Sequence, residues 1–278
     1  MSRGVALILP LLAFLVFLLS LVGATDDSEK RVMSVERMGK TYPKPHFVLV
    51  HGYTGGAWSW YKIRCLLETY GYKVTCLDLK GAGIDNTDST TIHTFDAYNQ
   101  PLINFFVNNL SDNEKVILVG HSAGGLSVTD ASHKFSKKIQ VVIYVAATML
   151  KHGFVTELDK RDGIPNSTTG GNKSDGNMSR LHMSPQEDVV LASMLSRPVP
   201  FEVFPQARFR GDGAEHVRRV YIKTKYDQIL KPEQQDAMIK KWPPAPSDVY
   251  VLDTDHNPLF SDPFALSGLL VKVATSIE

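Results

Sequence analysis

The chain has 278 residues, of which 43% are apolar and 21% are charged. This length suits one large α/β domain or two small ones, and this composition is that of a globular protein. The net charge is +1 and no stripe of basic residues is visible, which argues against a nucleic-acid-binding surface.

An apolar run near the N-terminus predicts entry into the secretory pathway. The run covers Val5 to Gly23 and follows Arg3. Val22 and Ala24 supply the small residues that a signal peptidase requires, so we expect a signal peptide over residues 1–24. The run is almost long enough to span a bilayer, and an uncleaved signal anchor is the alternative. In both cases the body of the protein is expected to be lumenal or extracellular, with membrane contact only through a retained anchor.

N-x-S/T sequons agree with a secretory location. They begin at Asn109, Asn166, Asn172 and Asn177, and the last three lie in one polar loop. Glycans in such a loop would meet no steric obstacle. The sequence therefore predicts a glycoprotein of the secretory pathway, extracellular or lumenal.

Only two cysteines are present, Cys65 and Cys76. An oxidising compartment would allow them to pair. Cys65 falls on a predicted helix and Cys76 in a run that predicts a central strand, which favours two buried free thiols over a disulfide.

Residues 25–44 are polar and lack periodicity, which predicts a tether, and strands and helices alternate after them. Strands are predicted over residues 46–50, 73–79, 116–119 and 139–147, and helices over residues 57–70, 94–110 and 126–134. Short loops between such elements predict a mostly parallel, doubly wound sheet with helices on both faces. One α/β domain is expected over residues 45–278.

The alternation breaks between about residues 150 and 215. Residues 151–177 are poor in apolar side chains and too long for a simple connection, which is typical of lids, binding loops or disordered inserts. A helix capped by Ser184, with Glu187 completing a capping box, is predicted to follow as far as about Leu195. This region predicts a short inserted cap. Strands over residues 217–223 and 249–252 and helices over residues 232–241 and 263–276 then resume the α/β pattern.

The stretch from Val116 to Gly124 predicts a nucleophile elbow centred on Ser122. A buried strand, Gly120-His121-Ser122-Ala123-Gly124 and a helix follow one another, which is the context in which G-x-S-x-G has a physical meaning. Small residues at Gly120 and Gly124 would allow strand and helix to approach closely beside a strained serine. The amide of Ala123, at the helix N-terminus, would point to a developing oxyanion.

A nucleophilic serine needs a base, and the base needs an orienting acid. In elbow folds the acid and then the histidine follow the serine along the chain. His256 lies directly after the last predicted strand, whereas the other downstream histidines lie on the elbow helix or in the cap region: His133, His152, His182 and His216. Asp227, in the loop after the preceding strand, is favoured as the acid. Asp253 and Asp255 are less suited, since Asp255 is the immediate neighbour of His256.

The loop after the first strand is expected to supply the second oxyanion amide. That loop is His51-Gly52-Tyr53, and the amide of Tyr53 is the candidate donor, with His51 in a structural role. Metal chemistry has no support, because neither H-E-x-x-H nor C-x-x-C occurs, and no cofactor is expected.

Several blocks of the sequence resemble the plant methylesterase and hydroxynitrile lyase-like family. They are FVLVHG (47–52), GAWSWYKI (56–63), GYKVTCLDL (71–79), EKVILVGHSAGG (114–125), SPQEDVVLASMLSRP (184–198), RRVYIKTKYD (218–227) and DTDHNPLFSDP (253–263). The resemblance implies an α/β-hydrolase fold with Ser122, Asp227 and His256 as the triad. It also implies oxyanion amides at Tyr53 and Ala123.

The chain departs from that family in four places. It carries a secretory signal, its cap lacks a segment before the helix near residue 186, Tyr53 stands for a small residue, and Ala123 stands for a leucine. The changes at Tyr53 and Ala123 affect the acyl pocket, so the substrate of a family member cannot be transferred directly.

The resemblance implies a serine carboxylesterase acting on small carboxylic methyl esters, such as those of indole-acetate, jasmonate or salicylate. The alternative is a ligand-binding sensor with little turnover. A hydroxynitrile lyase is disfavoured, because that branch has a threonine where Gly52 stands and a lysine where Asn257 stands. A small ester is the expected partner, and the sequence leaves a homodimer open.

Overall fold

A computed structural model describes residues 44–164 and 179–277. The predicted signal sequence and the sequons at Asn166, Asn172 and Asn177 lie outside these ranges. The described residues from Pro45 onward form one compact unit. Within the described ranges, none of the helices combines the length and the apolar character needed to cross a bilayer.

The described residues contain a six-stranded sheet in which every pair of neighbouring strands is parallel. The strands are β1 (His46–Val50), β2 (Lys73–Leu77), β3 (Val116–His121), β4 (Ile139–Val145), β5 (Arg218–Thr224) and β6 (Asp248–Leu252). Their spatial order is β2-β1-β3-β4-β5-β6. The order reverses direction after β2, so β1 and β3 lie side by side and their carboxyl ends meet near the sheet centre.

Helices connect the strands. They are α1 (Tyr61–Thr69), α2 (Phe95–Asn108), α3 (Gly124–Phe135), α4 (Glu157–Arg161), α5 (Gln186–Leu195), α6 (Pro232–Lys241), α7 (Pro258–Ser261) and α8 (Pro263–Thr275), and α1 follows a 3₁₀ turn at Ala57–Trp60. The predicted strands and the long helices are confirmed, with ends displaced by one to a few residues, as expected for boundaries read from sequence.

Side chains of each strand alternate between two hydrophobic layers. Val48 and Val50 of β1 pack with α2, α3 and α6, whereas Phe47 and Leu49 pack with α1 and α8. Because both faces are covered, β1 and β3 are buried along their whole length. The predicted doubly wound α/β fold is therefore confirmed.

Two local predictions were wrong. Cys76 lies in β2, at the edge of the sheet rather than in its centre, and Cys65 is exposed rather than buried; both thiols are free. Strand order places β2 outside β1, which a single sequence does not reveal. Helix α5 begins at Gln186 with Pro185 as N-cap and without a side-chain cap. Ser184 is not the cap, because its hydroxyl instead lies 3.3 Å from a carboxylate oxygen of Asp255.

The cap region is attached to the body through buried polar contacts. Asp188, in the first turn of α5, is fully buried and accepts hydrogen bonds from Tyr61 (2.7 Å) and Lys62 (2.5 Å) at the start of α1. A buried carboxylate needs such partners to offset its desolvation. These bonds fix α5 beside the carboxyl edge of the sheet.

Candidate active site

Ser122 lies in a strained turn between β3 and α3. Its φ angle is +54°, in the left-handed region that a residue with a side chain rarely adopts. A Cβ atom at Gly120 would lie 2.8 Å from the carbonyl oxygen of Gly124, so the close approach of strand and helix requires glycine. The amide of Ser122 donates to the carbonyl of Val145 on β4, which holds the turn against the sheet. The elbow geometry predicted from the sequence is present.

His256 and Asp227 are brought to Ser122 from loops far away in sequence. Nε2 of His256 lies 2.8 Å from Oγ of Ser122, and Nδ1 lies 2.7 Å from Oδ2 of Asp227. A neutral imidazole with its proton on Nδ1 would donate to Asp227 and accept from the Ser122 hydroxyl. His256 and Asp227 are 1% and 4% exposed, so water competes little for these hydrogen bonds. This arrangement can transfer the serine proton to the imidazole.

The Asp227 carboxylate is surrounded by donors. Oδ1 accepts from the amides of Ile229 and Leu230, both at 2.8 Å, and Oδ2 accepts from the hydroxyl of Thr224 at 2.9 Å. Burial alone would raise the pKa of Asp227, but the charge of His256 and the hydrogen bonds outweigh it and hold the pKa below its usual value. The acid is therefore ionised and fixed in orientation at neutral pH.

Two further histidines stabilise the site without contacting the serine hydroxyl. Nε2 of His121 lies 2.8 Å from the carbonyl oxygen of His256, and burial lowers the pKa of His121 to about 3. A neutral His121 can thus donate its Nε2 proton to that carbonyl. His51 accepts from the amide of Leu79 through Nε2 and donates from Nδ1 to the carbonyl of Gly52. This matches the structural role expected for His51.

The loop after β1 passes directly beside Ser122. A Cβ atom placed on Gly52 would lie 2.6 Å from Cβ of Ser122, so the next residue, Tyr53, also lies at the elbow. The Tyr53 ring packs against Phe201 and Phe204 of the cap, with centroids 5.1 and 4.6 Å apart. Its bulk is therefore used to join the loop to the cap. Ala123, the other candidate oxyanion residue, is the N-cap of α3.

Several residues that support this site were not singled out from the sequence. Arg180 donates to the hydroxyl of Thr54 at 2.6 Å, which holds the loop after Tyr53. Gln235 on α6 is fully buried and donates to the carbonyl of Leu230 at 2.7 Å, with its amide nitrogen 3.4 Å from Oδ2 of Asp227. Only His121 had a sequence signal, since it lies within the elbow motif.

The parallel sheet and the strained serine between β3 and α3 define an α/β-hydrolase. A model of the α/β-hydrolase family matches residues 47–267. Methylesterase 17 of Arabidopsis thaliana is 46% identical over 258 residues, covering 84% of this chain and 92% of that protein. Pheophorbidase of Raphanus sativus is 40% identical over 253 residues, covering 84% and 95%.

A solved structure agrees with the sequence relatives. The crystal structure of the methylesterase MES16 from Arabidopsis has a TM-score of 0.72 and 40% identity, covering 84% of this chain and 99% of that one. The chain therefore belongs to the plant methylesterase-like family of α/β-hydrolases, as the sequence blocks indicated. It is a carboxylic ester hydrolase.

Proposed function

We propose that this protein hydrolyses small carboxylic methyl esters through a triad of Ser122, His256 and Asp227. The observation that supports it is the unbroken chain of hydrogen bonds from Oγ of Ser122 through both nitrogens of His256 to Oδ2 of Asp227. The strained turn at Ser122 favours the same role, because strain of this kind is concentrated at functional sites.

In this proposal His256 takes the Ser122 proton as Oγ attacks the ester carbonyl. The oxyanion that forms is stabilised by the amides of Tyr53 and Ala123. His256 then returns the proton to the departing methoxide, which leaves as methanol, and an acyl-serine remains. Water, deprotonated by His256, attacks the acyl-serine. The acyl–Oγ bond then breaks, His256 returns the proton to Oγ of Ser122, and the carboxylic acid is released. Asp227 holds the imidazole in the required tautomer and stabilises its charged form.

Methyl esters of plant hormones are the proposed substrate class, with indole-acetate, jasmonate and salicylate as the first candidates. Support comes from relatives that are named as methylesterases. Gly52 argues against the hydroxynitrile lyase alternative, because the threonine of that branch would place its Cβ atom 2.6 Å from Cβ of Ser122. The aromatic contacts of Tyr53 with the cap imply that the oxyanion loop and the cap shape the acyl pocket together.

Labelling of the purified full chain with a fluorophosphonate serine-hydrolase probe tests the triad. Stoichiometric labelling of the wild type and none of Ser122→Ala is expected, with competition by the methyl ester that best fits the pocket. Release of methanol from each candidate ester then ranks the substrates. A folded wild type that binds these esters without labelling or turnover would contradict the proposal and favour the ligand-binding alternative.

We also propose that the protein is located in the secretory pathway. The support is the apolar run over Val5 to Gly23 together with the exposed position of Asn109, the sequon asparagine that lies within the described residues, at the end of α2. Protein expressed in plant cells should migrate faster on a denaturing gel after glycosidase treatment. This mobility shift should be smaller for Asn109→Gln. A glycosidase-insensitive, cytosolic wild type would contradict this location.

A further inference from the structure

Asp255, the residue before His256, is fully buried, and its carboxylate bonds to groups other than the His256 imidazole. It is a second buried acid beside the candidate base, distinct from Asp227. Its two oxygens accept hydrogen bonds from two different regions of the chain.

The first oxygen fixes the backbone around His256. Oδ1 accepts from the amide of Asn257 at 3.0 Å, which closes an Asx turn with His256 at its centre. The hydroxyl of Ser261, the last residue of α7, lies 2.8 Å from the same oxygen, so α7 also stabilises the turn. The direction in which the His256 imidazole leaves the backbone depends on this turn.

The second oxygen binds the segment of the cap that leads into α5. Oδ2 accepts from the amide of Met183 at 2.8 Å, and the Ser184 hydroxyl lies at 3.3 Å. Both carboxylate oxygens of Asp255 therefore have hydrogen-bond donors. One side chain therefore joins the cap segment and the turn that carries His256.

We propose that Asp255 is a positioning residue that couples the seating of the cap segment at Met183 and Ser184 to the orientation of His256. The inference rests on the proposed role of His256 as base. With the segment seated, both oxygens are satisfied and Nε2 of His256 is held 2.8 Å from the Ser122 hydroxyl. When the segment is displaced, Oδ2 loses its donors and the turn can reorient. A misplacement of about 1 Å in such a group costs roughly 100-fold in rate.

Asp188 offers a matched control. It too is fully buried and ties the cap to the body, but its partners are Tyr61 and Lys62 on α1 rather than the His256 turn. If buried carboxylates act only by stabilising the cap, changes at Asp188 and Asp255 should have the same kinetic effect. If Asp255 acts through His256, they should differ.

The test compares Asp255→Asn, Asp255→Ala and Asp188→Asn in the full chain. The kcat and KM for 4-nitrophenyl acetate, the rate of fluorophosphonate labelling and the Tm are measured for each. Asp255→Ala should lower kcat and the labelling rate by roughly 10- to 100-fold, with KM within about twofold of the wild type. Asp188→Asn should lower the Tm and leave kcat unchanged.

Asp255→Asn separates the two halves of the coupling. The amide oxygen can still accept from Asn257, but the amide nitrogen replaces an acceptor opposite the Met183 amide. A kcat between those of the wild type and Asp255→Ala is expected. This variant also carries the test if the alanine variant fails to fold.

Wild-type kcat in folded Asp255→Asn and Asp255→Ala would overturn the inference, as would an equal loss of kcat in Asp188→Asn. A wild type without turnover or labelling would instead contradict the proposed triad, so the two failures are distinguishable.

Discussion

The two ends of the sheet each hold a histidine between a hydroxyl and a carboxylate. The carboxyl-end triplet and the amino-end triplet are Ser122–His256–Asp227 and Thr75–His46–Glu114, respectively. In the first, Nε2 and Nδ1 lie 2.8 and 2.7 Å from their partners; in the second, both distances are 2.8 Å. Hydrogen-bond distances alone therefore do not distinguish the candidate active site from a structural cluster.

The surroundings do distinguish them. Thr75 lies within strand β2, whereas Ser122 has a left-handed backbone at the start of a helix whose amides can stabilise an anion. Glu114 is partly exposed and also bonds to Lys73 at 2.9 Å. Asp227, besides His256, accepts from backbone amides, a hydroxyl and a carboxamide. The carboxyl-end triplet differs from the amino-end triplet in three features: a strained backbone at the hydroxyl residue, a nearby helix N-terminus and an acid that, within the described residues, no lysine shares.

The largest expected difference between the triplets is in their hydroxyl groups. Ser122→Ala should abolish ester turnover and fluorophosphonate labelling, because it removes the hydroxyl that attacks the carbonyl. Thr75→Ala should leave both unchanged and lower stability by about 1 kcal/mol through loss of one hydrogen bond. Labelling and urea unfolding measure the two effects. A substantial loss of labelling in Thr75→Ala would show that the amino-end triplet is not merely structural.

The acids should differ next most strongly. Asp227→Asn should lower kcat by roughly 10³- to 10⁴-fold, since the amide favours the wrong imidazole tautomer. Glu114→Gln should keep wild-type kcat, because His46, its partner, contacts a strand threonine and not Ser122. Steady-state kinetics at saturating ester separate the two variants. Similar kcat values in both would remove Asp227 from the triad.

Changes to the residues that hydrogen-bond to each acid should have a smaller effect on kcat. Thr224→Val removes the hydroxyl that donates to Oδ2 of Asp227 while keeping the side-chain shape. A hydrogen bond to a charged group contributes about 1.5–3 kcal/mol, so a stability loss of that order and a clear fall in kcat are expected. Lys73→Met, next to Glu114, should leave kcat unchanged, because it lies at the opposite end of the sheet from Ser122. It should lower stability by at most about 1 kcal/mol, because the lysine is exposed. Denaturant unfolding and kcat, measured together, test this; an unchanged kcat in Thr224→Val would assign the threonine a purely structural role.

The sequence revealed the parts of this arrangement that depend on local pattern. The elbow at Ser122 and the loop at His256 follow β-branched runs, and small residues beside the serine are required by close backbone contacts. Thr224 and Gln235 carry no such signal, since a threonine at a strand end and a glutamine on an amphipathic helix are common. Their role appears only when β5 and α6 are brought together. The cap was the least predictable part, because Ser184 bonds to Asp255, distant in sequence, rather than to its own helix.

The smallest expected effect concerns acid stability at the amino end. Burial lowers the pKa of His46, and the hydrogen bond to Glu114 only partly opposes this effect. The folded state therefore binds a proton at His46 less readily than the unfolded chain, in which the pKa of histidine is about 6.5. Below that pH the unfolded state takes up more protons, and the free energy of unfolding falls as the pH is lowered. Burial lowers the pKa of His51 and His121 too, so they contribute in the same direction.

His46→Gln should therefore reduce, without abolishing, the loss of Tm between pH 7 and pH 5. It should also leave fluorophosphonate labelling at pH 7 unchanged, since His46 lies at the opposite end of the sheet from Ser122. His93→Gln, at an exposed position, is the matched control and should keep the wild-type pH dependence. An acid sensitivity in His46→Gln equal to that of the wild type would mean that His46 does not stay neutral in the folded protein.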